Sequence, residues 1–100
     1  MNKQEFHAWI KDRPVFLDGA TGSNLQRRGM SAGVCPEEWI LENKEALIGL
    51  QRAFVDAGTN IVYAPTFTAN RIKLREYGLE GQTRQMNLAL VALSREAVAD

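Results

Sequence analysis

The sequence predicts an α/β protein whose strands run parallel and are covered on both faces. Two short apolar runs carry much of that expectation. Val15-Phe16-Leu17 and Ile61-Val62-Tyr63-Ala64 lack the polar alternation of a half-exposed strand, and they stop at Asp18-Gly19 and at Pro65. The third observation is the stripe Leu47, Leu50 and Phe54 that lies between them and finishes at Gly58, the residue expected at a left-handed helix end. Strand, helix and strand in that order make a βαβ unit, which requires parallel strands and a right-handed crossover.

Taken in order, Phe6, Trp9 and Ile10 fall at i, i+3 and i+4, which predicts an amphipathic helix over about residues 3 to 12, ended by Pro14. The first strand spans about 14 to 18. From Gly19 to Pro36 the chain is rich in glycine and reads as a long loop with a helical turn or two at Ser23 to Arg28; a loop of this length is a functional hint. Pro36-Glu37-Glu38 opens the next helix, with proline at its first position and acids near its positive end. Asn43 is expected to cap the helix of about 44 to 57, and the second strand spans about 60 to 64. A helical stretch carrying Ile72 and Leu74 leads to Tyr77-Gly78. The last helix, about 81 to 99, packs Met86, Leu90, Leu93 and Ala97 along one face. Two parallel strands do not make a self-sufficient sheet, so this inventory predicts the start of a longer α/β protein whose strand edges are open.

Twelve basic and twelve acidic side chains cancel, and like charges do not cluster, which leaves no footprint for nucleic acid or an anionic membrane. With 45% apolar residues the chain is not a disordered tail. Residues 1 to 13 interleave Lys3, Glu5, Lys11 and Asp12 with apolar residues, so neither a signal peptide nor a membrane span is read there, and a cytoplasmic location is expected. Cys35 is the single cysteine; it excludes an internal disulfide, and no complete metal site can be assembled from it and His7.

In parallel α/β architectures ligands meet the carboxyl ends of the strands, which directs attention to Asp18 to Ser23 and to Pro65 to Asn70. Asp18 offers a carboxylate to a cationic group, while Gly19 and Gly22 permit tight turns that expose N–H groups to an anion; an amino acid carries both charges. The plainer reading of Asp18-Gly19 is a turn that caps the next helical segment. A dinucleotide-binding loop is an alternative suggested by Gly19-Ala20-Thr21-Gly22. It lacks the third glycine, for which Leu25 stands, and the second strand has no acidic residue at its tip.

Phe16-Leu17-Asp18-Gly19-Ala20-Thr21-Gly22-Ser23 with Leu25-Gln26, then Ala57-Gly58-Thr59-Asn60-Ile61, then Pro65-Thr66-Phe67-Thr68-Ala69-Asn70-Arg71-Ile72-Lys73-Leu74 together resemble the start of the homocysteine S-methyltransferase family. That family includes the homocysteine-binding domain of cobalamin-dependent methionine synthase and betaine-homocysteine methyltransferase. The resemblance covers about Pro14 to Leu79, and Asn70 to Leu79 leans toward the methionine-synthase branch. It implies the N-terminal portion of a (β/α)8 TIM barrel, about two βα units preceded by a short helix, with residues 1–100 an incomplete domain and no internal boundary. A whole barrel takes roughly 250 residues.

The resemblance further implies an enzyme of cytoplasmic methionine biosynthesis that transfers a methyl group to the thiol of homocysteine. In that family zinc held by three cysteine thiolates activates the thiol by lowering its pKa, and a cobalamin- or folate-derived methyl donor is implied beside it. The zinc cysteines of the family lie beyond residue 100, so no catalytic residue and no metal ligand is assigned within the chain. Carried over by position, Asp18 would hold the substrate ammonium and Gly19 would act through its backbone, while Thr66, Phe67 and Thr68 would line the pocket. The implied partners are homocysteine and a methyl donor. A reading of a different class is a non-catalytic fragment or interaction module that self-associates through its open strand edges. Among other residues, His7 is read as a surface or packing histidine, Arg27-Arg28 as solvated charge, Trp39 as a packing aromatic, Cys35 as a plain loop or half-buried thiol, and Met86 as core.

Overall fold

The first helix starts where Asn2 offers its side-chain oxygen to the Glu5 N–H at 2.8 Å, satisfying one of the donors that a helix N-terminus leaves open. In the computed structural model, which describes residues 1–99, this helix, α1, runs Lys3–Ile10. Asp100, the last residue of the expected domain, lies outside the described residues. Helix α1 contains no buried residue; Phe6 and Trp9 instead lean on each other with ring centroids 6.2 Å apart, and the Arg13 guanidinium lies 5.4 Å from the Trp9 ring centroid.

After it come α2 (Gly22–Arg27), α3 (Pro36–Glu42), α4 (Lys44–Asp56), α5 (Arg71–Arg75), a 3-10 turn (Glu80–Gln82) and α6 (Thr83–Val98). Pro36 occupies the first turn of α3 as its missing N–H allows. Helix α4 ends in a turn where Gly58 takes φ +113°, a conformation that a Cβ would strain. Asn43 does not cap α4 with its side chain. Its amide donates back to the Trp39 carbonyl at 2.9 Å and so closes the end of α3.

The core lies where α4 meets α6, with α2 and α3 closing over it. Leu25, Ile40, Leu47, Leu50, Leu90 and Leu93 form one buried cluster, and Trp39 and Phe54 pack at its border. A smaller cluster joins Cys35 at the start of α3 to Leu74 of α5 and Met86 of α6. These stripes are the 3.6-residue patterns of the sequence, and removing them from water drives the packing.

The expected start of a (β/α)8 barrel is corrected here. Among the described residues there is no β-strand and no sheet; the segments read as strands touch at one parallel bridge, Leu17 to Ile61. Phe16 O accepts from Asn60 N at 2.8 Å and from Ile61 N at 3.2 Å, and Asp18 N donates to Ile61 O at 3.1 Å. Side chains take the places of the next rungs. The Phe16 N–H donates to Asn60 Oδ1 at 3.0 Å, and the Tyr63 N–H donates to the Asp18 carboxylate at 3.3 Å instead of to a ladder carbonyl. Two such short segments bury too little apolar surface to extend into a sheet, and Phe16, Leu17 and Tyr63 are exposed. Helices α2 to α6, each of which buries residues of its own, carry the fold.

Candidate functional site

Beside the bridge, the turn after Ile61 folds back over α2 and α3. The Ala64 carbonyl accepts from Thr66 N at 2.8 Å, and the Thr66 carbonyl accepts from Ala69 N at 3.0 Å, so Pro65 to Ala69 forms compact turns. Asn70 then caps α5, its side-chain oxygen accepting from Lys73 N at 2.9 Å. Asn87 of α6 donates to the Ala69 carbonyl at 2.7 Å and ties these turns to the longest helix. From the other side, the Gln51 amide of α4 donates to the Tyr63 carbonyl at 2.8 Å.

Between the turns and the two short helices opens a cavity of about 730 Å³, lined by Leu25, Pro36, Glu37, Ile40, Tyr63 and the segment Ala64 to Thr68, together with Thr21 and Gly22. Its wall is mostly apolar and aromatic. Thr21, Thr66 and Thr68 add hydroxyls, and the one carboxylate in the lining is Glu37, only 4% exposed. Its carboxylate oxygens accept hydrogen bonds from the Thr68 hydroxyl and, at 3.5 Å, from the Cys35 thiol. Burial pushes the Cys35 thiol above its ordinary pKa; the hydrogen bond to Glu37 and the charge of that carboxylate act in the same direction, while the Glu38 and Glu37 backbone groups oppose them. A thiol held in its protonated form is a weak nucleophile and a poor metal ligand.

The residues named from the sequence separate into two places. Thr66, Phe67 and Thr68 all line the cavity; Phe67 is almost fully exposed, and Thr68 points its hydroxyl at Glu37. Asp18 and Gly19 are not part of that lining. The Asp18 carboxylate is engaged by the Tyr63 N–H. At Gly19 an added Cβ would stand 3.1 Å from the Phe54 ring, so this glycine permits a close approach of chain to helix. His7 is exposed, as are Arg27 and Arg28, and Met86 is buried. Glu37 was missed as a site residue, although the sequence carried a signal for it: it precedes the buried Ile40 by three positions and so shares a helix face with it.

The chain matches the family model described as "Homocysteine S-methyltransferase" over residues 15–100. It is also 31% identical over 83 residues to the S-methylmethionine–homocysteine S-methyltransferase of Pongo abelii, an alignment covering 82% of this chain and 22% of that protein. The chain thus spans about a fifth of the length of this curated relative.

The fold and chemistry expected from the resemblance are corrected by the structure. The bridge and helices described above do not form the start of a homocysteine-binding barrel. Among the described residues no group of three or more His, Cys, Asp and Glu side chains is placed to hold a metal ion. Cys35 is committed to a hydrogen bond with Glu37, and the residues present do not fit a zinc ion. The expected function, zinc-activated methyl transfer to homocysteine with this chain supplying the amino-acid-positioning part of the pocket, is corrected on these findings: the described residues form neither a barrel start nor a metal-binding group. Among the described residues no helix is long and apolar enough to cross a membrane.

Proposed function

The chain belongs to the homocysteine S-methyltransferase family, and we propose that it works as a non-catalytic interaction module whose open edge pairs with that of a second copy. The observation that carries the reading is the isolated Leu17–Ile61 bridge. In a parallel pair with that register, the backbone groups of Leu17 and Val62 point away from each other, one along each outer edge. Neither residue has a hydrogen-bond partner for them among the described residues. Beside these open groups stand Phe16 at 59%, Leu17 at 50% and Tyr63 at 63% exposure, apolar surface next to unsatisfied donors and acceptors. An edge of this kind is a template for strand addition.

Charge favours a second copy. The formal net charge is zero, so no long-range repulsion opposes association of like chains. Neither Leu17 nor Val62 belongs to the buried clusters of the helices, so the helical core does not require their outward groups to stay unpaired. Light scattering on the eluting chain tests the proposal, with Val62→Pro as the perturbation. Proline removes the outward N–H of Val62 and leaves the Leu17–Ile61 rungs in place. The expected result is a concentration-dependent dimer that Val62→Pro returns to monomer with helical content unchanged. A monomer at all concentrations overturns the proposal.

A further inference from the structure

We infer that the open groove over α5 binds a phosphate monoester, holding the phosphate between Arg71 and Arg75 and the organic body on Ile72. The groove, about 660 Å³, is lined by Asn70, Arg71, Ile72, Lys73 and Arg75. It shares no residue with the cavity beside Glu37, and the inference goes beyond the pairing of edges without depending on it. Along the chain the three cations alternate with Ile72 and Leu74, so they form no run of like charge. The structure gathers them around one groove that no acidic side chain lines.

Helix α5 is pinned beneath the groove and at its start. Leu74 is fully buried in one cluster with Cys35 and Met86, and Asn70 turns its side-chain oxygen to the Lys73 N–H at 2.9 Å. That cap leaves the two N–H bonds of the Asn70 amide group free to donate to a ligand. The Lys73 amine already has a partner, the Glu76 carboxylate at 4.0 Å. Arg71 and Arg75 have no acidic partner among the described residues. Lying four positions apart, they share a helix face with Cβ atoms about 5–6 Å apart, where like charges repel. An anion seated between them relieves that repulsion. Two guanidinium groups match the nearly two charges of a phosphate monoester at neutral pH, and each planar fork fits a pair of phosphate oxygens. Ile72, 75% exposed in the same groove, supplies apolar surface for the organic body. A carboxylate brings only one charge to two guanidinium groups and is held less tightly.

Calorimetry on the full chain at fixed ionic strength tests the site with phenyl phosphate and benzoate. Phenyl phosphate is expected to bind about three- to tenfold more tightly than benzoate, a modest ratio because the arginines are exposed. Arg71→Gln with Arg75→Gln should lower phenyl phosphate affinity about tenfold. Lys3→Gln with Lys11→Gln removes the same charge from α1 and should leave that affinity unchanged. All four residues are exposed, so both double variants keep the fold. Co-sedimentation with phosphatidylcholine vesicles carrying phosphatidic acid separates two sources of the ester. Capture that the Arg71 and Arg75 substitutions abolish supports a lipid headgroup, and phenyl phosphate binding without capture supports a soluble ester. Absence of phenyl phosphate binding overturns the inference, as does benzoate binding equally well. An equal loss of affinity in the two double variants overturns it too, because general attraction to positive charge would then account for the binding.

Discussion

Leu90→Ala and Leu17→Ala remove the same atoms from two places that the fold treats differently. Leu90 is fully buried on α6, in one cluster with Leu47 and Leu50 of α4. Its truncation loses the transfer free energy of the side chain and leaves a cavity between two helices that cannot close completely, together about 2–5 kcal/mol. Leu17 is at the bridge but 50% exposed, so roughly half of its transfer free energy is at stake and no enclosed void forms; the cost is about 1 kcal/mol or less. For a chain of this size each kcal/mol shifts the midpoint by about 4–8 °C. A loss of about 3 kcal/mol at Leu90 thus lowers Tm by about 12–24 °C, and Leu17→Ala by less than about 8 °C. Thermal melts followed by far-UV circular dichroism at low protein concentration, where edges are unpaired, measure both. A larger drop for Leu17→Ala than for Leu90→Ala would show that the bridge, and not the α4–α6 contact, carries the fold.

Further expectations follow from single contacts. Gly58→Ala forces a Cβ onto φ +113° and should cost about 1–2 kcal/mol, read from urea midpoints; no change would mean that the turn relaxes freely. Thr68→Val leaves a carboxylate oxygen of Glu37 buried without its donor and should destabilise by about 1–3 kcal/mol in the same assay. Because burial raises the Cys35 pKa above 9.0, the folded state favours the protonated thiol. That contribution is complete below 9.0 and is lost as pH rises from there through the folded value. Urea midpoints of the native chain should therefore fall relative to those of Cys35→Ala above that pH, and a constant difference between the two would contradict the assignment.

Much of the helical fold was legible in the sequence, because each helix carries its own evidence. The stripe Leu47, Leu50 and Phe54, the proline at the start of α3 and the glycine after α4 all act locally, and each is found where the spacing places it. Strands carry no such local proof. The apolar runs Val15 to Leu17 and Ile61 to Ala64 look like buried strands only if other strands and layers cover them, and a sequence run does not contain its neighbours. In the structure the runs meet once, and Asn60 and Asp18 take the adjoining N–H groups with their side chains. Family resemblance carried the expectation further, to a barrel and a zinc thiolate, than these residues support.

The site was legible in part for the same reason. Thr66, Phe67 and Thr68 lie on one turn and reach one cavity together. Asp18 and Gly19 come from a distant segment, and their place depends on how Tyr63 and Phe54 approach them, which spacing does not encode. Glu37 stood in the sequence as an ordinary acid at a helix start. Its value as a buried charge depends on Thr68, thirty-one positions later.

Amide hydrogen exchange at the bridge, measured at two protein concentrations, tests the proposed edge pairing most directly. In dilute solution Leu17 and Val62 should exchange rapidly, because their N–H groups have no partner among the described residues. At high concentration, as the dimer forms, both should become protected while amides of α4 and α6 change little. Slow exchange at both positions in a monomer, independent of concentration, would contradict the account.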